Sequence, residues 1–318
     1  MSKEKREEQV KVINSLLELK RKVVGVKFYY DEEEYEACPA QQVKYYIPYC
    51  VTVRCATAGH DIKIRKENIG CFAAARVLGM DEVTESYRSG EDCMGLGMYS
   101  DQQAAKKAVD NISINPKCPC GIEISPLELM EKDPDVVIVV STPYNIMRLI
   151  QGYSYYYGSY KGFKMAGNQA MCAEITACTY VTNEINTSMM CSGTRFLSKW
   201  QKDEMAMGIP GDKYEKVIQG VYHTADPLER DADKERIKRE DYINWISGQY
   251  TFSAIVTAID NVLKGKAEYI EKPILWKIIE DSELTEEERE RRDMLAEIRA
   301  MDKWIENDRK LGLPETSM

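Results

Sequence analysis

The chain has 318 residues, 44% of them hydrophobic and 30% charged, with a formal net charge of -9. The matching pI near 5.1 excludes the basic face that a general nucleic-acid binder presents. No apolar run approaches the ~20 residues of a membrane span, and the charged start MSKEKREEQVK has no apolar core of a secretory signal, so a cytoplasmic protein is expected.

Residues 4–22 place Val10, Ile13, Leu16, Leu17 and Leu19 near one helical stripe, and Val23 to Tyr30 reads as a strand. Residues 31–47 read as an irregular loop. Tyr49 to Ala58 predicts a helix, Asp61 to Arg65 a short strand, and Cys71 to Leu78 a helix stopped by Gly79. Gly90 to Tyr99 is a glycine-rich connection before a helix at Asp101–Val109. Pro116 to Gly121 is a stiff turn, and Pro126 opens a short helix through Met130. Asp135 to Ser141 is the best strand in the chain, apolar enough to be covered on both faces. A helix at Tyr144–Tyr157 follows, then a loop and a helix carrying Cys172. A Thr/Asn-rich connection leads to a short strand, a Cys-Ser-Gly-Thr-Arg turn at Cys191, a strand at Asp203–Ile209 and a helix at Asp212–His223.

Beyond residue 225 the pattern changes. Residues 226–240 are a charged linker, 241–264 read as one or two helices, and 285–311 as a long charged helix opened by a capping box at Thr285. The expected fold class is α/β or α+β: a body over 1–225 and a helical extension over 226–318.

Ten cysteines and two histidines, His60 and His223, set the chemistry. In a reducing compartment thiols stay reduced. They are then metal or cluster ligands, redox groups or small buried hydrophobes. A metal site would lean on sulfur, which suits iron–sulfur clusters, zinc or Cu(I).

Two stretches echo one another. Cys50 and Cys71 lie 21 residues apart, Cys172 and Cys191 lie 19 apart, and each first cysteine is followed five or six residues on by another, Cys55 or Cys178. In each, a polar turn and short strand come before the closing cysteine, and an arginine follows it, Arg76 or Arg195. The echo reads either as chance or as an internal duplication. A duplication would have halves of about 1–115 and 116–225, packed about a pseudo-twofold axis that brings equivalent cysteines together.

Several segments resemble one family: Val24-Gly25-Val26-Lys27-Phe28, Cys71-Phe72-Ala73-Ala74, Pro134 to Ile138, Pro143 to Gln151, Cys172-Ala173-Glu174, Cys191 to Arg195 and Asp203 to Pro210. Together they are similar to the domain of unknown function 169 of archaea and anaerobic bacteria. The likeness covers about residues 10–225, and no activity comes with it. It implies that Cys50, Cys71, Cys172 and Cys191 occupy the family's usual cysteine positions, while the other six are particular to this chain.

The leading expectation is a four-thiolate site from Cys50, Cys71, Cys172 and Cys191, holding a cubane 4Fe-4S cluster or, alternatively, zinc. The usual ferredoxin spacing is absent, and the bland alternative is four thiols filling core corners. Arg76 and Arg195 would donate hydrogen bonds at the site or hold an anion. Arg148, with Thr142, Tyr144 and Asn145, would line a pocket beyond the strongest strand. Cys118-Pro119-Cys120, with Cys93, is a weaker second cluster, more simply two thiols in a stiff turn. The tyrosines at 153–160 read as an aromatic wall or as interfacial packing. No P-loop, dinucleotide fingerprint, nucleophile elbow or zinc-protease motif is present.

The expected function is therefore a cytoplasmic iron–sulfur protein of an anaerobe, either a redox enzyme or an accessory or electron-transfer subunit. The alternative is a non-redox binding or assembly module with structural cysteines or zinc. Expected partners are a small molecule and either a second copy or an enzyme complex met through the C-terminal helix, with neither nucleic acid nor membrane.

Overall fold

A computed structural model describes residues 3–224. The chain divides into two units, Met1–Val221 and Tyr222–Met318. The expected linker, helices and capping box after residue 225 lie outside the described residues.

In order, the elements are α1 (Lys3–Leu17), β1 (Val24–Tyr29), α2 (Glu32–Ala37), β2 (Gln41–Gln42), α3 (Tyr49–Thr57), β3 (Ile62–Ile64), α4 (Phe72–Val77), α5 (Glu85–Arg88), α6 (Glu91–Gly95) and α7 (Gln102–Asp110). Then come β4 (Gly121–Pro126), β5 (Val136–Ser141), α8 (Pro143–Tyr157), a π-helical segment (Ala170–Ala177), α9 (Cys178–Thr182), β6 (Asn186–Ser188), α10 (Ser192–Ser198), β7 (Met205–Pro210) and α11 (Tyr214–His223). The class is mixed α/β, as expected.

Three stretches differ from expectation. The loop expected at 31–47 contains α2 and β2. Asp31 there accepts the Glu34 N–H at 2.9 Å, so the acidic run is a capped first turn favoured by the helix dipole. The glycine-rich connection contains α6, entered through Gly90 at φ 83°, a left-handed value that suits glycine. The Cys191 turn is the start of α10.

The strands form one sheet in the order β2-β3-β4-β1-β5-β7-β6. Its contacts are antiparallel except for the short β2–β3 pair at one edge. From the central β1–β5 pair outward, the two sides follow one pattern. β1 is flanked by β4 and then β3, and β5 by β7 and then β6. Along the chain each side runs from its central strand to a helical segment bearing a cysteine. A short strand, a helix N-capped by a cysteine, and the strand that returns beside the first come after it, with β2 added as the edge on the β1 side.

β5 is buried along its whole length, which explains its unbroken apolar sequence. Its side chains alternate between faces. Val136, Ile138 and Val140 join one core cluster with Val24, Val26, Ile122, Ile124 and residues of α3, α4, α7 and the π-helical segment. Val137 and Val139 are equally buried but stand outside that cluster, as do the buried residues of α1, α8 and α11. Burying each such side chain contributes about 1.5–3 kcal/mol. The candidate site lies on the α3/α4/π-helical side of this sheet.

Candidate four-thiol site

Cys50 is the second residue of α3, just past the N-cap Pro48. Cys71 and Cys191 are the N-cap residues of α4 and α10, and Cys191 Sγ accepts the Thr194 N–H at 3.4 Å. Three of the cysteines thus stand at the start of a helix, where unpaired N–H groups favour a thiolate. The fourth, Cys172, lies in the π-helical segment, and its thiol donates to the Gln169 carbonyl at 3.7 Å. The π-helical segment packs against α3, α4, β6 and β7, and α3 packs against α10.

These contacts bring the other three thiols near Cys172, and bring Cys71 and Cys191 near Cys50. Burial pushes the Cys172 thiol well above its ordinary range, and the thiols of Cys71, Cys191 and Cys50 add to the push in that order. Burial also raises Cys50, with Cys191 and Cys71 adding to it, while the hydroxyls of Thr194 and Ser198 act the other way. Cys172 belongs to the main core cluster, and Cys50, Cys71 and Cys191 pack against it half-buried. Phe72, next to Cys71, is exposed, and so is Phe196 on α10.

Among the described residues, no group of three or more His, Cys, Asp or Glu side chains is gathered to hold one metal ion. Four thiolates on a single zinc, each at ~2.3 Å, must nearly touch. A cubane spaces its thiolates more widely, because each bonds a different iron.

The π-helical segment has identifiable causes. Gln169 stands at φ 53°, and its carbonyl accepts the N–H groups of both Ala173 and Glu174. Thr176 donates its hydroxyl to Met171 O at 2.7 Å, five residues back. The Gln169 side chain accepts from the Tyr87 hydroxyl at 2.9 Å. Single π-helical turns concentrate at functional sites.

The arginines are built into the surrounding structure. Arg76 pairs with Asp92 at 2.6 Å and lies over the Tyr87 ring, so it bears on Cys172 through Tyr87 and Gln169. Arg195 donates to the carbonyls of Gln201, Met189 and Glu204 at 2.6–2.8 Å, tying down both sides of Cys191. Arg148 is buried and donates to the Val221 carbonyl at 3.0 Å. Nearby Thr142 caps α8, and Asn145 donates to Leu17 O and Ser141 Oγ.

The other cysteines are dispersed. Cys93 is in the main core, Cys120 packs on a separate cluster of Tyr29, Tyr35 and Cys38, and Cys118 is exposed. Cys55 and His60 line one groove with Gln42 and Tyr45. Tyr153 stacks on Tyr157 and hydrogen-bonds Glu184, and Lys213 lies over both rings. Tyr49, Thr194, Ser198 and Trp200 were not foreseen as parts of the site. The only local signal for them was their nearness in sequence to Cys50 and Cys191.

Fold and site define a mixed α/β sheet protein in which four segments each bring one cysteine to the same core cluster. The chain belongs to the family described as uncharacterised ArCR, domain of unknown function 169, which it matches over residues 12–220. The resemblance read from its residues holds. It is also similar to an uncharacterised protein of Methanocaldococcus jannaschii, 25% identical over 154 residues. That match covers 48% of this chain and 66% of the relative, so the chain spans just under two thirds of that protein. No solved structure matches. No helix among the described residues is long and apolar enough to cross a membrane.

Proposed function

We propose that Cys50, Cys71, Cys172 and Cys191 ligate a cubane iron–sulfur cluster, and that the chain is a cytoplasmic redox protein. It serves either as an enzyme on a small molecule or as an accessory or electron-transfer subunit. The observation that carries this reading is that four cysteines, drawn from segments over 140 residues of chain, pack in or against one core cluster, three of them at helix starts. A cluster held this way supplies one-electron transfer. The protein's part is to hold the sulfurs at helix starts, exclude water around Cys172, and fix the ligand segments through Arg195 and the Arg76–Tyr87–Gln169 chain. Buried thiols resist ionisation, and bound iron supplies the positive charge that offsets this cost. The matching order of strands and cysteines on the two sides of the sheet supports a pseudo-twofold origin for the site.

The full chain purified without oxygen should carry iron and acid-labile sulfide in equal amounts and bleach on reduction. Substoichiometric iron in freshly prepared protein overturns the reading.

A second reading, a non-redox binding or assembly module with structural thiols or zinc, is favoured by the place of Cys172 in the apolar core. It requires colourless protein whose stability does not change when iron is withheld.

A further inference from the structure

Arg54 stands half-buried in the last turn of α3, one turn after Cys50. Its guanidinium lies over the Trp200 ring, 5.5 Å from the centroid. That ring is buried at 6% exposure, and its Nε1 donates to Thr194 Oγ1 at 3.1 Å, so the platform is fixed. Arg21 lies over the same ring at 4.9 Å. The two cations differ in their partners. Arg21 gives Nη2 to Glu204 Oε2 at 2.9 Å and Nε to Glu204 Oε1, a bidentate pair. Glu204 Oε2 also accepts the Gln201 N–H at 2.7 Å, so that carboxylate is taken up. Among the described residues, no carboxylate pairs with Arg54. Its one side-chain hydrogen bond there is a long contact of 3.5 Å to Thr57 Oγ1.

A guanidinium carries five N–H donors in a planar fork that matches an oxyanion. Most of that fork is unspent on Arg54, and the indole already excludes water from one side of it. Two arginines against one carboxylate leave the surroundings of Trp200 positive. Burial first, and Arg21 second, hold Arg54 below the usual arginine range, while Glu204 acts the other way. A bound anion relieves both costs. We propose that Arg54, stacked on Trp200, is the receptor for a small oxyanion, a carboxylate or phosphate group gripped by its open N–H fork. The site goes beyond the four-sulfur reading and does not depend on it. It seats the charged end of a small molecule one helical turn from Cys50.

The test is isothermal titration calorimetry of the full chain with sodium phosphate and, separately, sodium acetate, each against chloride at fixed ionic strength. At least one of them should fill a single saturable site with a dissociation constant below about 10 mM, and the one that binds tells phosphate from carboxylate. Arg54→Gln should weaken that site about tenfold or more. Arg54→Lys keeps the charge without the planar fork and should restore only part of the affinity. It carries the same comparison if Arg54→Gln does not fold in urea titrations. Lys202→Gln removes an exposed charge close by in the chain and should leave binding unchanged. Absence of saturable binding by both anions overturns the proposal. So does full affinity in folded Arg54→Gln, or an equal loss in Lys202→Gln, which would mean diffuse charge alone. None of these readings involves iron, so their failure leaves the four-sulfur reading standing.

Discussion

The hydroxyls of Tyr49 and Thr176 meet at 2.9 Å, both fully buried and 127 positions apart in sequence. Thr176 spends its own proton on Met171 O, so Tyr49 is the donor. Tyr49 immediately precedes Cys50, and Thr176 lies four residues after Cys172. The bond therefore sets how far apart two of the four thiols stand. Tyr49→Phe keeps the ring and removes the donor. It should lower the free energy of unfolding by about 1 kcal/mol in urea titrations, and iron should leave the variant faster under a chelator than it leaves the wild type.

Gly208 fixes the same segment from below. A side-chain carbon there would collide with the Ile175 carbonyl oxygen and with Thr179 Oγ1. The backbone of β7 thus runs directly against the π-helical segment. Gly208→Ala must push that segment off the sheet and carry Cys172 with it. Overpacking of this kind costs about 1–3 kcal/mol, to be read from thermal or urea unfolding. Gly95→Ala, where an added carbon meets nothing within 4 Å, should stay within about 0.5 kcal/mol of the wild type.

The parts legible in the sequence were those with a local cause. β5 and α8 show as an apolar run followed by Thr142-Pro143, a cap and a first-turn proline. The cysteine spacing put four thiols forward as candidates, and all four pack in or against the main core cluster. The π-helical segment was hidden, because its causes are the left-handed Gln169 and the close approach of Gly208, a tertiary contact. The capping role of Cys191 was hidden because sulfur is an uncommon cap. The acidic run Asp31–Glu34 is exposed, and the capping role of its first residue on α2 was hidden because residues 31–47 read as an irregular loop. Arg195 looked like a ligand-binding group, and its donors are bound to main-chain carbonyls.

Away from the site, Glu123 is buried at 2% exposure and accepts from the Tyr29 hydroxyl at 2.7 Å. Burial pushes its carboxyl above the ordinary 4.5, and Asp61 adds to this, while Tyr29, Cys38 and Ser125 hold it back. Lys63 lies opposite on β3, with its ammonium given to the carbonyls of Tyr35, Glu36 and Cys38. With the folded pKa raised, the native state binds more protons, and stability is lost as pH climbs from the unfolded value through the folded one. Glu123→Gln keeps the hydrogen bond and removes the titration. Its unfolding free energy relative to wild type should therefore rise with pH above 4.5, measured by urea titration at a series of pH values. A difference independent of pH would show that Glu123 is not the group responsible.

The ten cysteines divide by where they stand, and the division has a direct readout. Cys50, Cys71 and Cys191 pack around the buried Cys172, whereas Cys38 and Cys120 share a second cluster, Cys93 lies elsewhere in the main core and Cys178 is buried outside both. Cys120 even spends its thiol proton on the Tyr29 carbonyl at 3.2 Å. Alanine at any of the first four should abolish most of the bound iron and the visible spectrum. Alanine at Cys55, Cys118 or Cys120 should leave both intact. Cys93→Ala and Cys178→Ala remove a buried sulfur and should cost of order 1 kcal/mol in stability, again with full iron content. Iron loss spread evenly over all nine substitutions would mean that folding, and not ligation, is being measured. Iron retained in Cys172→Ala would remove the most buried ligand from the proposed set and leave the other three, half-exposed at helix starts, as an open site.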